Sequence, residues 1–233
     1  MAQLLQMMLF IHIASGFLAF ITGFLSMSNR KGSSPHRLTG KLFFAGMSGV
    51  FVTSTLISAA KNIPFLFMVG FFSYYLACAG YRSLYLKKLH LGQRPAVIDW
   101  VISLTGLLAG LGMVLFSVSW FDSRGAMGIV PLLFGIFCMV NSILDIRNYR
   151  KPPRSKNHWI ITHGSRMGGS FAAAVTAFVV VNFSLGSYTW VLWVLPGVAV
   201  GFWIRKTITD FLTRPSAPRP HQGLRAAPVR TKP

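Results

Sequence analysis

Seven stretches of the chain, at about 4–27, 40–60, 64–86, 97–118, 127–147, 159–183 and 188–208, are almost wholly apolar, and each is bounded by charged residues or Pro/Gly clusters. An α-helix needs about 20 apolar residues to cross roughly 30 Å of hydrocarbon, so each run has the length of one membrane span. None alternates polar and apolar with the period of two that a barrel strand requires, and hydrocarbon leaves an open sheet edge unsatisfied. The pattern predicts an all-α, polytopic membrane helix bundle over residues 1–210, of about seven transmembrane helices, with a separate tail after it. The sixth run is the weakest, because His163, Arg166 and three glycines interrupt its start before FAAAVTAFVVV completes it. No cation precedes the first run, which is also too long for the core of a cleaved signal peptide; a retained helix is expected there.

Composition and charge then orient the bundle. Of 233 residues, 53% are hydrophobic and only 12% charged, against roughly 25% charged in soluble domains. Lys and Arg number 23 against four acids, all Asp, for a net charge of +19. On a soluble chain such an excess would point to nucleic acid; here the cations lie between apolar runs, where they set topology, and no nucleic-acid partner is expected. Arg30, Lys31, Arg37 and Lys41 follow the first run, Arg82, Lys87, Lys88 and Arg94 the third, Arg147 to Lys156 the fifth, and Arg205, Lys206 and five more the seventh. The alternate loops hold only Lys61 and Arg124, so 21 of the 23 cations fall on one side. This predicts an inner membrane protein of a bacterial cell with its N-terminus outside and its C-terminus in the cytoplasm. Residues 211–233, rich in Pro and Arg and nearly free of large apolar residues, read as a disordered basic cytoplasmic tail. Anionic lipid headgroups are the expected partners of the cytoplasmic face.

Ionisable residues inside apolar runs are costly and are by default functional candidates. His12 shares a helical face with Gly16, Ala19 and Gly23, a small-residue stripe suited to close packing; it reads as a hydrogen-bonded interhelical imidazole, as a haem or metal ligand, or as a group handling protons or substrate. A second group gathers at the cytoplasmic ends of helices two and six: His36, Arg37, Lys41, His158, His163 and Arg166. Ser34 as an N-cap with Pro35 at the first helical position explains part of it without chemistry. Helix N-termini and these cations together make an anion-attracting surface, suited to a lipid phosphate, an anionic substrate, or a haem held by two histidines. Arg166 needs an acid at its depth, and Asp145 or Asp99 could supply it; because Asp145 near a helix C-terminus opposes the dipole, an Asp145–Arg166 ion pair of structural purpose is expected. Cys78 and Cys138 both lie in apolar runs and read as buried hydrophobes. No Walker loop, GxGxxG, HExxH, CxxC or paired acid is present, so hydrolytic and phosphoryl-transfer enzymes are disfavoured.

The spacing H-x-x-x-G at His12 and Gly16, then K-G-x-x-x-H-R-x-x-G-K from Lys31 to Lys41, resembles a family of uncharacterised bacterial multi-pass membrane proteins grouped as a domain of unknown function. GYRSLYLKK with Asp99-Trp100, and H-x-x-R-M-x-x-S-F-x-A-A-x-T-A-F-x-V-x-N across the sixth run, look like the same family over residues 8–183. The resemblance implies membership without an assigned reaction. The opening hairpin is also similar to b561-type haem proteins, which implies haem b on helix-borne histidines. Bis-histidine ligation wants two histidines at equal depth, and His12 lies roughly 10 Å from the level of His163 by helix rise. A haem, if present, is therefore expected on His36 and His163. The sequence thus predicts an integral membrane protein handling a small molecule, ion or lipid, with a haem-b redox protein as the alternative.

Overall fold

The computed structural model describes residues 2–213. Every regular element among them is helical. Seven α-helices occupy the seven apolar runs: α1 (Ala2–Ser28), α2 (Ser34–Ala60), α3 (Pro64–Arg82), α4 (Val97–Arg124), α5 (Ile129–Arg150), α6 (His158–Asn182) and α7 (Thr189–Thr213). Six helical stretches are long and apolar enough to cross a membrane; one of these, Val97–Arg150, contains α4 and α5 with the Gly125–Gly128 turn between them. The two pack back to back: a Cβ on Gly110 would lie 2.9 Å from the Gly135 carbonyl oxygen, and one on Gly135 2.7 Å from that of Gly110. Contact this close needs glycine on both helices.

The surface is apolar and the interior mixed, the reverse of a water-soluble bundle. Phe10, Leu108, Val181 and Phe202 are each at least two-thirds exposed, whereas Asp99, Ser103, Asn141, Ser142, Asp145, Arg166 and Ser170 are buried. Extended apolar surface is unfavourable in water and costs nothing in hydrocarbon, so this exterior is compatible with a multi-pass membrane protein. One end of the bundle carries the basic loops, and there Lys87, in the segment after α3, lies over the ring of Trp159 in the first turn of α6. At the other end Phe65, Trp120 and Trp193 pack together from α3, α4 and α7, the amphipathic aromatics favoured at a membrane interface.

Several boundaries depart from the sequence-based expectation. The second helix starts at Ser34 instead of 40, and its cap is Ser33, whose side chain accepts from the His36 N–H at 3.4 Å; the free energy of capping outweighs the polar composition of SPHRLTGK. The third helix stops at Arg82 and continues as a 3-10 turn over Ser83–Tyr85. The fourth and fifth run on to Arg124 and Arg150, past the expected 118 and 147, so Asp145 sits above the last turn of α5. The seventh reaches Thr213, not 208, because Ile204, Ile208 and Phe211 recur at helical spacing against the bundle and line the cavity below. Residues 211–213 are thus helix and not tail; the rest of the expected tail, 214–233, lies outside the described residues.

Candidate functional site

Between the basic ends of α1, α2, α6 and α7 lies a cavity of about 540 Å3, within the usual size of a small-molecule or cofactor site. Its floor is apolar, from Phe43, Met167, Phe171, Ile204 and Ile208, and its cations are Lys31, Arg37, Lys41 and Lys87. No lining residue among those described is acidic. The positive charge is thus uncompensated, and the complementary ligand is an anion with a large apolar body. Lys31 sits in the α1–α2 loop with its Nζ donating to the Ser26 carbonyl at 3.3 Å and to that of Met27, the free carbonyls at the end of α1. Burial pulls its ammonium below the ordinary lysine pKa, since desolvation penalises the charged form.

Two imidazoles stand on the cavity wall. His36, in the first turn of α2, and His163, in the second turn of α6, have ring centroids 6.3 Å apart and planes at 81°. Each Nδ1 points at a backbone carbonyl oxygen: Ser26 at 3.0 Å for His36, and Gly80 at 2.9 Å for His163. A carbonyl can only accept, so in the neutral rings Nδ1 carries the proton and Nε2 keeps its lone pair. Donation of the other ring N–H to a carbonyl is the arrangement that orients metal-ligating histidines. Two imidazoles sharing one ion through nitrogens at about 2 Å each also place their centroids about 6 Å apart. The cavity volume and its cationic rim suit an amphiphilic anion. Four of the expected site residues, His36, Arg37, Lys41 and His163, come together here.

The other three lie elsewhere. His12 Nδ1 donates to Thr53 Oγ1 on α2 at 3.0 Å, outside the cavity lining, and Gly16 beside it has open space instead of a partner helix; the close approach of α1 to α2 falls at Ala19 and Gly46. His158 begins α6 beside a separate small cavity with Asp145, Tyr149 and Thr162. Arg166 turns into the bundle, where its Nη2 donates to Asp145 Oδ1 at 2.8 Å and to the Asn141 carbonyl at 3.0 Å, while Nη1 donates to Asn141 Oδ1. Tyr75 on α3 donates its hydroxyl to Asp145 Oδ2 at 2.6 Å. This core ties α3, α5 and α6, and the cavity beside Asp145 measures only about 10 Å3.

Asp99, the alternative acid for Arg166, belongs to Arg82 instead. Arg82 Nε and Nη2 donate to its two oxygens at 2.7 and 3.0 Å, and Oδ2 also accepts the Ala96 N–H at 2.8 Å. One carboxylate thereby caps α4 and holds the end of α3, a bidentate pairing that arginine's planar fork favours. Sequence reasoning missed Tyr75 and Arg82; in Arg82 the signal was present, a cation at the same membrane depth as Asp99. No family model, curated protein or solved structure matches the chain.

Proposed function

We propose that the chain is a seven-span integral protein of a bacterial inner membrane, N-terminus outside and basic loops in the cytoplasm, whose cytoplasmic-side cavity binds an amphiphilic anion, best read as haem b held by His36 and His163. The carrying observation is the pair of imidazoles 6.3 Å apart with both Nδ1 atoms committed to carbonyls. Bound haem would supply one-electron redox chemistry. The residues' own part is to present two Nε2 lone pairs, to bury the macrocycle against Phe43 and Phe171, and to meet two carboxylates with Lys31, Arg37, Lys41 and Lys87. The site lies at one membrane face only, which favours exchange with a cytoplasmic partner over conduction across the bilayer.

Detergent-purified protein should show a Soret band that His36→Ala and His163→Ala each abolish and His12→Ala leaves intact. A colourless, iron-free preparation from haem-replete cells would overturn the haem reading. A second reading then stands on the acid-free cationic rim and apolar floor: the occupant is an anionic lipid, detected by native mass spectrometry and lost in Lys31→Gln/Arg37→Gln. The topology is tested separately by reporter fusions at Lys61 and Lys151, which should report opposite compartments.

A further inference from the structure

On the other side of α6 from the cavity, buried polar atoms outnumber their partners. Arg166 is 6% exposed and Ser142 and Ser170 are 0% exposed, yet Arg166 Nε, Ser142 Oγ and Ser170 Oγ find no hydrogen-bond partner among the described residues. Toward the basic end, His158 Nδ1 is likewise buried and unpartnered. It borders a cavity of about 10 Å3 shared with Ser83, Asp145, Tyr149 and Thr162, about the room of one water. Asp145 belongs to both places: it lines this cavity and accepts from Arg166.

We propose that α3, α5 and α6 enclose a hydrated half-channel, in which single waters bridge His158 to Asp145 at the basic end and join Arg166 Nε, Ser142 and Ser170 further in. Burying an unpartnered polar atom leaves its desolvation uncompensated, and a water with two to four polar neighbours removes that penalty. The ligand class follows from charge: Asp145 and Arg166 already neutralise each other at 2.8 Å, so an ion would enter as an unpaired charge, whereas water satisfies donors and acceptors alike. The path begins at the first residue of α6 and reaches Ser170, about 18 Å along it at 1.5 Å per residue. One turn beyond Ser170, Ala173 of α6 packs against the buried cluster of Phe72, Met113 and Cys138, which are 5%, 0% and 0% exposed. Water, and with it exchangeable protons, reaches the Asp145–Arg166 core from the basic face alone.

This is independent of what fills the larger cavity. Radiolytic hydroxyl labelling of the full chain in lipid nanodiscs tests it without any substitution. Tyr149 and Tyr75 should be modified while Met113, intrinsically the more reactive side chain, stays protected. An unmodified Tyr75 would make the core dry, and a modified Met113 would make the path continuous; either result overturns the proposal. The inner waters are tested again by Ser142→Ala and Ser170→Ala. Each should lower the midpoint of thermal unfolding by removing a partner of a bound water, whereas in a dry core, deleting an unsatisfied hydroxyl leaves the midpoint unchanged or raises it, and that outcome also overturns the proposal.

Discussion

His163 and Arg166 stand three residues apart on one helix and face two polar regions built on opposite terms. Around His163 there is a cavity of about 540 Å3 with four cations and, among the described residues, no acid. Around Arg166 there is an acid at 2.8 Å, an asparagine and a tyrosine, and a neighbouring cavity of only about 10 Å3. Charge that is neutralised in place and closed over by side chains holds helices together. Charge left uncompensated around empty volume is complementary to something outside the chain. Both regions are polar inside an apolar bundle, and it is volume and charge balance that separate scaffold from site.

The largest contrast should appear when one member of each region is deleted. Arg166→Leu strands the Asp145 carboxylate in the interior, and breaking a buried pair in this way costs about 3–5 kcal/mol. His163→Leu loses one imidazole-to-carbonyl hydrogen bond, worth about 1 kcal/mol, because the Gly80 carbonyl still accepts from Ser83 Oγ at 2.7 Å. Denaturation in mixed micelles, with ligand-free protein for both variants, measures the two. Asp145→Leu/Arg166→Leu should recover most of the loss, as apolar replacement of a whole ion pair is often neutral. Equal losses for Arg166→Leu and His163→Leu would erase the distinction between the regions.

A complementary experiment fills the open region and leaves the closed one alone. Gly40 lines the cavity, and a Cβ there would approach nothing closer than Ser26 Oγ at 3.6 Å. Gly40→Leu should therefore extend its side chain into the space an occupant needs. Co-purified ligand, read as Soret absorbance or bound lipid, should drop at least tenfold. The unfolding midpoint of the ligand-free protein should hold or rise, since leucine is favoured over glycine in a helix by up to about 1 kcal/mol. Retained ligand at wild-type stoichiometry would mean that the cavity is not the binding site.

How far the sequence alone reached depends on what each feature costs. The seven helices were legible because hydrocarbon imposes a length of about 20 residues. The juxtaposition of Asp145 and Arg166 was legible in outline because each charge is intolerable alone at that depth and few acids exist to choose from. Helix ends were not, since the choice of Ser33 over Ser34 as cap turns on one local hydrogen bond, and the sparse apolar spacing of Ile204, Ile208 and Phe211 among polar residues falls below what an apolar run of span length reveals. Tyr75 was invisible because a tyrosine in an apolar run gives no sign of which way its hydroxyl faces. The split of the histidines was half legible: helix rise separated His12 from His163, but only the assembled structure sets His158 on the far side of α6 from His36.

His12 provides the smallest effect and a control on both regions. Its Nδ1 lies 3.0 Å from Thr53 Oγ1, which itself donates to the Gly49 carbonyl at 2.6 Å, so the hydroxyl can accept and the imidazole donates. The contact is a neutral hydrogen bond between α1 and α2, with neither a partnered charge nor a neighbouring volume. Thr53→Val keeps the shape and removes the acceptor, which should cost about 0.5–1.5 kcal/mol. His12→Leu/Thr53→Val, which removes both polar partners, should be closer to wild type than Thr53→Val alone, because no buried donor is then left unpaired. Ligand content should be unchanged in both. If Thr53→Val emptied the cavity instead, His12 would be coupled to the site across the α1–α2 interface, and uncompensated charge around open volume would no longer suffice to mark where this protein binds.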